Sequence, residues 1–337
     1  MEVFYTLFIP YSTFYYVLDF GHTRCYNQIN AILFQEIAMT TKDIKPYANL
    51  HLHTTHSDGV FSPTKIVKVA KEEGYRAVAV TDHDTASAYP ELKAACEKEG
   101  LDCIFGVEFS VSVPSYFHIV GFDFDPEYPE MKDYLVKMAA RQTDNTKLCF
   151  DAAVAKGNIV GITWDEVLEY NVDIPWLCNN HVFRAMQAKG LIEESEYMAW
   201  FYLNFRDEMC KYPPSYDFLP LCEMVDLIKR AGGFAVCAHP DMSQLGKIDM
   251  LLDAGIEGLE VLHAELTDEE KELALKLCLE KGLYISGGSD HSGLCGGYYD
   301  SFPDEESLKA SNLYIEPLSS GVTEEHYVEL KTRKINR

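Results

Sequence analysis

The stretch Ala48-Asn49-Leu50-His51-Leu52-His53-Thr54-Thr55-His56-Ser57-Asp58-Gly59 decides how the rest of the chain is read. Ala48, Leu50 and Leu52 alternate with Asn49, His51 and His53, the period-2 signature of a strand. Side chains two apart on a strand leave the same face, so His51 and His53 point the same way and can share one metal ion. His56 and Asp58 fall where the strand gives way to a loop that Gly59 helps to turn. Imidazole and carboxylate with no thiolate nearby suit Zn²⁺, Mn²⁺ or Fe²⁺. A lone strand histidine is ordinarily a satisfied core or surface group. The pair followed by Ser57-Asp58-Gly59 points instead to a metal site, and the remaining strands decide between the two.

Working outward, Ser62-Pro63 is a helix start, Ser at the N-cap and Pro in the first turn, and Gly74 is its stop. Residues 76–80 read as a buried strand ending in Thr81-Asp82-His83-Asp84. A helix over 86–99 closes at Gly100, and a strand over 102–105 runs into Gly106-Val107-Glu108-Phe109-Ser110. The strand 117–122 carries His118 at its beginning. Residues 130–231 read mostly as helix, broken at Pro213-Pro214. The β/α alternation then resumes. A strand ends at His239-Pro240, another spans 258–262 and ends near His263, a helix over 267–281 stops at Gly282, and the strand 283–286 enters Gly287-Gly288-Ser289-Asp290-His291. Strand after strand thus ends in His, Asp or Glu. In β/α barrels the C-terminal strand ends converge on one face, where active sites sit, so these scattered residues become neighbours.

The chain has 337 residues, 47% of them hydrophobic and 24% charged, which is ordinary for a soluble globular protein with a sizeable core. Its net charge of −24 argues against a broad grip on nucleic acid, duplex DNA above all, and favours a site that collects divalent cations. The 10 cysteines include no CxxC spacing and read as free thiols of a reducing cytoplasm. Residues 1–38 differ from the rest of the chain, being rich in Tyr, Phe and Ile and nearly free of Lys and Glu. They read as an atypical extension, with Met39 as the domain's own start; a membrane anchor or a docked helix or strand are the other readings. The expected organisation is a barrel from 39–129 and 232–310, a helical insert over 130–231, and a C-terminal tail over 311–337. No membrane contact is expected, and oligomeric state has no signature in the sequence.

With these motifs in place, the chain resembles the polymerase and histidinol phosphatase (PHP) family of metal-dependent phosphoesterases. The resemblance rests on His51-Leu52-His53-Thr54-Thr55-His56-Ser57-Asp58-Gly59, on Thr81-Asp82-His83-Asp84, on Gly106–Ser110 with 117–123, on Ala238-His239-Pro240, and on Gly287–His291. Asn180-His181-Val182-Phe183-Arg184 carries a narrower similarity to the nucleoside 3',5'-bisphosphate phosphatases and 5'-3' exoribonucleases. The resemblance implies an α/β fold, a distorted seven-stranded TIM-like barrel with an inserted helical cap, holding two or three divalent ions (Mn, Zn or Fe). It implies that His51, His53, Glu108 and Asp290 bind one ion, that Glu108 bridges to a second held by His118 and His239, and that Asp58 and His83 hold a third. The family ends in Asp, any residue, then His; here the order is Asp290-His291-Ser292, so the last imidazole is displaced by one. Either His291 substitutes as a ligand, or the third site is weak or absent.

The implied reaction is hydrolysis of a phosphate monoester by metal-activated hydroxide. Asp84 is the candidate proton donor to the leaving oxygen, against a reading as a carboxylate stabilised at a helix N-terminus. Arg184 and His181, three apart on a helix, share a face and are candidate substrate contacts, with Arg141 a weaker one. The expected substrate is a small phosphorylated metabolite such as a nucleoside 3',5'-bisphosphate. The alternatives are 5'-3' cleavage of short RNA, histidinol phosphate hydrolysis, and a non-catalytic module.

Overall fold

The computed structural model describes residues 46–112, 117–206, 211, 218–290 and 320–335. Residues 1–38 and His291 lie outside them. Residues 45–337 form one compact unit. Strand β1 (Ala48–Asn49) is followed by α1 (Pro63–Glu73), β2 (Ala77–Val78), α2 (Tyr89–Glu99) and β3 (Asp102–Cys103). Strands β4 (Gly106–Val111) and β5 (Phe117–Phe122) lead into the helical stretch: α3 (Pro129–Ala155), α4 (Trp164–Tyr170), α5 (Asn179–Ala188), α6 (Tyr197–Phe201) and a π-helical turn, Tyr202–Arg206. After α7 (Leu221–Arg230) come β6 (Phe234–Cys237), α8 (Met242–Leu245), α9 (Ile248–Asp253), β7 (Gly258–Glu260), α10 (Asp268–Lys281), β8 (Tyr284–Ser286) and α11 (Glu324–Thr332).

The helix punctuation follows local chemistry. The Ser62 hydroxyl accepts from the Lys65 N–H, Pro63 opens α1, and Gly74 closes it at φ 96°. Thr163 with Glu166 and Thr267 with Glu270 form reciprocal capping boxes on α4 and α10. Among the described residues no helix is long and apolar enough to cross a membrane.

Among the described residues the strands form two sheets rather than the single closed barrel that the resemblance implies. They make a parallel sheet in the order β1-β2-β3 and a mixed sheet in the order β4-β5-β6-β7-β8. Strand β5 runs antiparallel to both β4 and β6. Residues 112–116 are too few for a crossover helix, which a parallel partner requires, so β4 and β5 can only form a hairpin. Single hydrogen bonds join the sheets past the strand ends. The Glu108 N–H donates to the Thr81 carbonyl and the Asp84 N–H to the Glu108 carbonyl; at the other seam the Leu50 N–H donates to Gly287 and the Asp290 N–H to His51.

Both sheets enclose a common core. Leu50, Ala79, Val120, Phe122, Phe234, Val236 and Tyr284 pack together with Tyr327 and Leu330 of α11. The alternate residues Ile119, Ala235, Cys237 and Leu259 turn outward onto the helices, so both faces of the mixed sheet are buried. The residues after about 311 carry no sequence pattern, yet Val322 bridges to Ala48 and α11 seals the inner core. The 27-residue α3, about 40 Å long, belongs to two cores. Met131, Tyr134 and Met138 pack in the outer core, while Cys149, Phe150 and Ala153 pack with α4, α5 and Trp200.

Gly288 marks a close crossing. A Cβ there would stand 2.4 Å from the His51 backbone nitrogen and 2.5 Å from the His51 Cβ. Gly288→Ala must push the β8 exit away from β1. It should lower unfolding free energy by about 1–3 kcal/mol, read from the urea midpoint; an unchanged midpoint would show that the crossing tolerates a methyl group.

Candidate metal centre

The polar strand ends meet on one side of the two sheets, and Glu108 stands at their centre. It is fully buried on β4. Its Oε2 lies 3.3 Å from His51 Nε2, 3.2 Å from His53 Nε2 and 3.1 Å from His83 Nδ1. Its Oε1 lies 3.2 Å from both His118 Nδ1 and His239 Nε2. Asp290 Oδ1 is 3.3 Å from His51 Nε2 and 2.9 Å from His53 Nε2. The antiparallel hairpin explains His118: it pairs with Ser110 at the end of β4, so the start of β5 reaches the same side.

Two observations bear on what this cluster can hold. The Nε2 atoms of His51 and His53 face each other at 3.2 Å, a contact that needs a cation or a shared proton between them. Glu108 Oε2 is buried without a hydrogen bond of acceptable geometry, although imidazole nitrogens surround it. The donor atoms therefore aim at common points rather than at one another. Nitrogen and oxygen donors in this arrangement fit a divalent ion. His51, His53, Glu108 and Asp290 form one such group, His83, Glu108 and His118 a second, and His53, Asp58 and His83 a third.

The loop after β1 is held from two sides. From below, Asp82 accepts from the Thr54 N–H at 2.7 Å, the Thr54 hydroxyl at 2.8 Å and the Ser57 hydroxyl at 2.6 Å. From above, side chains at the start of α5 bond to the loop's carbonyl oxygens. Cys178 donates to Ser57, Asn180 to Asp58, His181 to Thr55 and Arg184 to Val60. The half-exposed Asp58 carboxylate is thereby set 3.3 Å from His53 Nδ1 and 3.7 Å from His83 Nε2.

His181 and Arg184 share a face, as expected, but that face is turned onto the loop. His181 Nδ1 accepts from the Cys178 N–H and its Nε2 donates to Thr55, so both ring nitrogens are committed to backbone. Burial also holds its pKa down at about 4. Arg184 lines a cavity of about 200 Å³ with Thr55, Gly59, Tyr170, Asn171 and Asn180. Arg141 lies exposed on α3.

Burial alone would drive His51 and His53 toward neutrality. The surrounding carboxylates outweigh it and raise both well above the usual imidazole value. The same balance raises His118, and His239 to about 9. Against their own burial, the histidines hold Asp58, Glu108 and Asp290 below the ordinary carboxylate range. Asp84 goes the other way: burial raises it to about 7, although its Oδ1 accepts from the Ser110 N–H at 3.2 Å. Asp84, His239 and Asp290 all have left-handed backbones, at φ 48°, 26° and 58°. Each costs about 1–3 kcal/mol, a strain typical of functional positions.

Several residues of the centre escape sequence reasoning. Asp82 lies inside a recognised motif but gives no sign that it braces the loop. Glu260 and His263 are fully buried behind His51, and Glu265 faces His239 and Asp290. Trp176, from the helical stretch, lies face-on to His83 at a ring separation of 6.1 Å. Only the approach of β7 to His263 hinted at these contacts.

Comparison with known proteins agrees with this geometry. Residues 49–187 match the PHP domain. The 5'-3' exoribonuclease Rnm of Salmonella typhimurium is 29% identical over 261 residues, covering 73% of this chain and 85% of that protein. The 3',5'-nucleoside bisphosphate phosphatase of Chromobacterium violaceum is 28% identical over 253 residues, covering 72% and 86%. In fold, the chain is similar to a protein of Bifidobacterium adolescentis provisionally described as a metal-dependent phosphoesterase, with a TM-score of 0.64 at 23% identity, covering 86% and 96% of the two chains. With a PHP-domain match over residues 49–187 and a donor cluster suited to divalent ions, the chain is similar to the PHP metal-dependent phosphoesterases.

Proposed function

We propose that this enzyme hydrolyses the phosphate monoester of a small phosphorylated metabolite, foremost a nucleoside 3',5'-bisphosphate. The observation that carries the reading is the convergence of His51, His53, Glu108 and Asp290 on one point, with Glu108 shared with His118 and His239. His51, His53, Glu108 and Asp290 would hold one divalent ion, and Glu108, His118 and His239 a second. Asp58 and His83 offer a third position, toward which His53 also faces. Mn²⁺, Zn²⁺ and Fe²⁺ all suit this donor set. When bound, such ions lower the pKa of water toward neutrality and offset the charge of a phosphate.

The chain's own groups supply the rest. Burial raises the Asp84 carboxyl to about 7, so a share of it keeps its proton at neutral pH, and it is the candidate donor to the leaving oxygen. Arg184 lines the cavity beside the metal loop, where its planar fork suits a second phosphate. The relative named as a bisphosphate phosphatase supports this substrate class. The relative named as an exoribonuclease supports the second reading, 5'-3' cleavage of short RNA; the net charge of −24 favours the smaller ligand. The shared inner core and the bonds at both seams support reading the two sheets as parts of one distorted TIM-like barrel. The buried free thiols support a cytoplasmic location.

The deciding assay measures phosphate release by the Mn²⁺-loaded protein from nucleoside 3',5'-bisphosphates, histidinol phosphate, an aryl phosphate and 5'-phosphorylated short RNA. We expect release from the bisphosphate, abolished in Glu108→Ala. Ladder products from RNA without bisphosphate turnover would replace this reading with the exonuclease. Asp84→Asn should lower kcat on the bisphosphate by about 100-fold or more and spare the aryl phosphate, whose leaving group needs no proton. Equal losses on both substrates would remove Asp84 from the donor role.

Metal uptake should depend on pH. Without metal, the surrounding carboxylates raise His51, His53, His118 and His239, the last to about 9, while burial lowers His83, so the raised rings hold protons that an ion must displace. Affinity for Mn²⁺ should therefore rise from pH 7 to 9, with protons released on binding. Calorimetry in buffers of differing ionisation enthalpy measures that release; binding without it would mean that these nitrogens are not the ligands.

A further inference from the structure

Glu260, the last residue of β7, lies behind the metal centre with both carboxylate oxygens occupied. Its Oε1 is 2.8 Å from His51 Nδ1, and its Oε2 accepts from the His239 backbone N–H at 2.8 Å. His263 Nε2 stands 3.6 Å from the same Oε2. The His263 ring accepts at Nδ1 from the Glu265 N–H, so its Nε2 carries the proton and faces Glu260 from beyond hydrogen-bond distance. All three side chains are buried.

The two residues that Glu260 holds face opposite oxygens of Glu108. His51 Nε2 addresses Oε2, and His239 Nε2 addresses Oε1. Glu260 acts on them differently. A carboxylate at Nδ1 fixes the His51 tautomer with its proton there, leaving the Nε2 lone pair for an ion. For His239 it anchors the backbone at a residue with φ 26°, a conformation that needs holding.

We propose that Glu260 is the positioning residue that prepares both metal positions, through the tautomer of His51 and the backbone of His239. The inference rests on the metal-centre reading above. It makes a sharp demand on an isosteric change. The His239 N–H is an obligate donor, so the single carbonyl oxygen of a glutamine is drawn to it. The amide NH₂ then faces His51 Nδ1, and the ring must accept there and carry its proton on Nε2, against the metal. Glu260→Gln should thus weaken Zn²⁺ binding by about 10- to 100-fold in a protein of native circular dichroism.

The experiment uses the full chain labelled with ¹⁵N-histidine, with Zn²⁺ as a diamagnetic probe. In metal-free wild type, at a pH high enough for His51 to be neutral, the ring should show a downfield Nδ1–H proton resonance, which Glu260→Gln should lose. In the Zn²⁺-loaded wild type, Nδ1 should remain protonated and Nε2 should be metal-bound. Loss of the resonance together with weakened Zn²⁺ binding supports the proposal. A folded Glu260→Gln that binds Zn²⁺ like wild type, or keeps the resonance, overturns it. Should that variant not fold, the wild-type spectra decide, because ligation through His51 Nδ1 overturns the proposal directly. Failure of wild type to bind Zn²⁺ would sink the metal-centre reading instead, while the metal-free resonance would still judge the hold of Glu260 on His51.

Discussion

A carboxylate taken out of water loses several kcal/mol of solvation even after relaxation, and Glu108 is buried completely. Much of the fold answers that cost. Imidazoles stand against each of its oxygens, carried by the ends of β1, β2 and β6 and the start of β5. The rings are held in turn: His51 by Glu260, His53 by Ser57 and Asp58. Apolar side chains of similar volume would stabilise such a core at least as well. A cluster this expensive, with a buried carboxylate oxygen that makes ion pairs but no well-formed hydrogen bond, and with mutually facing nitrogens, is therefore built for a ligand rather than for stability.

The charge balance also bears on the substrate. The protein carries a net charge of −24, and a phosphorylated substrate is itself an anion. Without metal ions the site's carboxylates are offset only by the protons on the histidines that face them. With cations bound, the ions become the largest local charges and reverse the field.

Much of the centre was legible because strand geometry is simple. The alternation at His51 and His53, and the polar residues closing successive strands, placed the donor set without coordinates. The helix stops at Gly74, Gly100 and Gly282 were legible for the same reason, since each marks a left-handed cap. What the sequence hid was partnership across the chain. Glu260 sits in a buried Gly-Leu-Glu strand that looks like any other, and its role exists only through His51 and His239. Periodicity gave His181 and Arg184 a common face but not what that face meets. The antiparallel step at β4–β5 follows from a connection too short for a crossover.

The metal loop is contiguous in sequence, yet the bonds that hold it from above span 121 to 126 residues. On the ribosome, Asp58 emerges long before the helix whose side chains fix its backbone. The motif most easily recognised in the chain is thus among the later parts of the nascent protein to take its final shape. Contacts of such sequence separation slow folding, and they tie completion of the centre to completion of the helical stretch. A chain truncated before α5 would carry every residue of the first motif and lack the frame that shapes it.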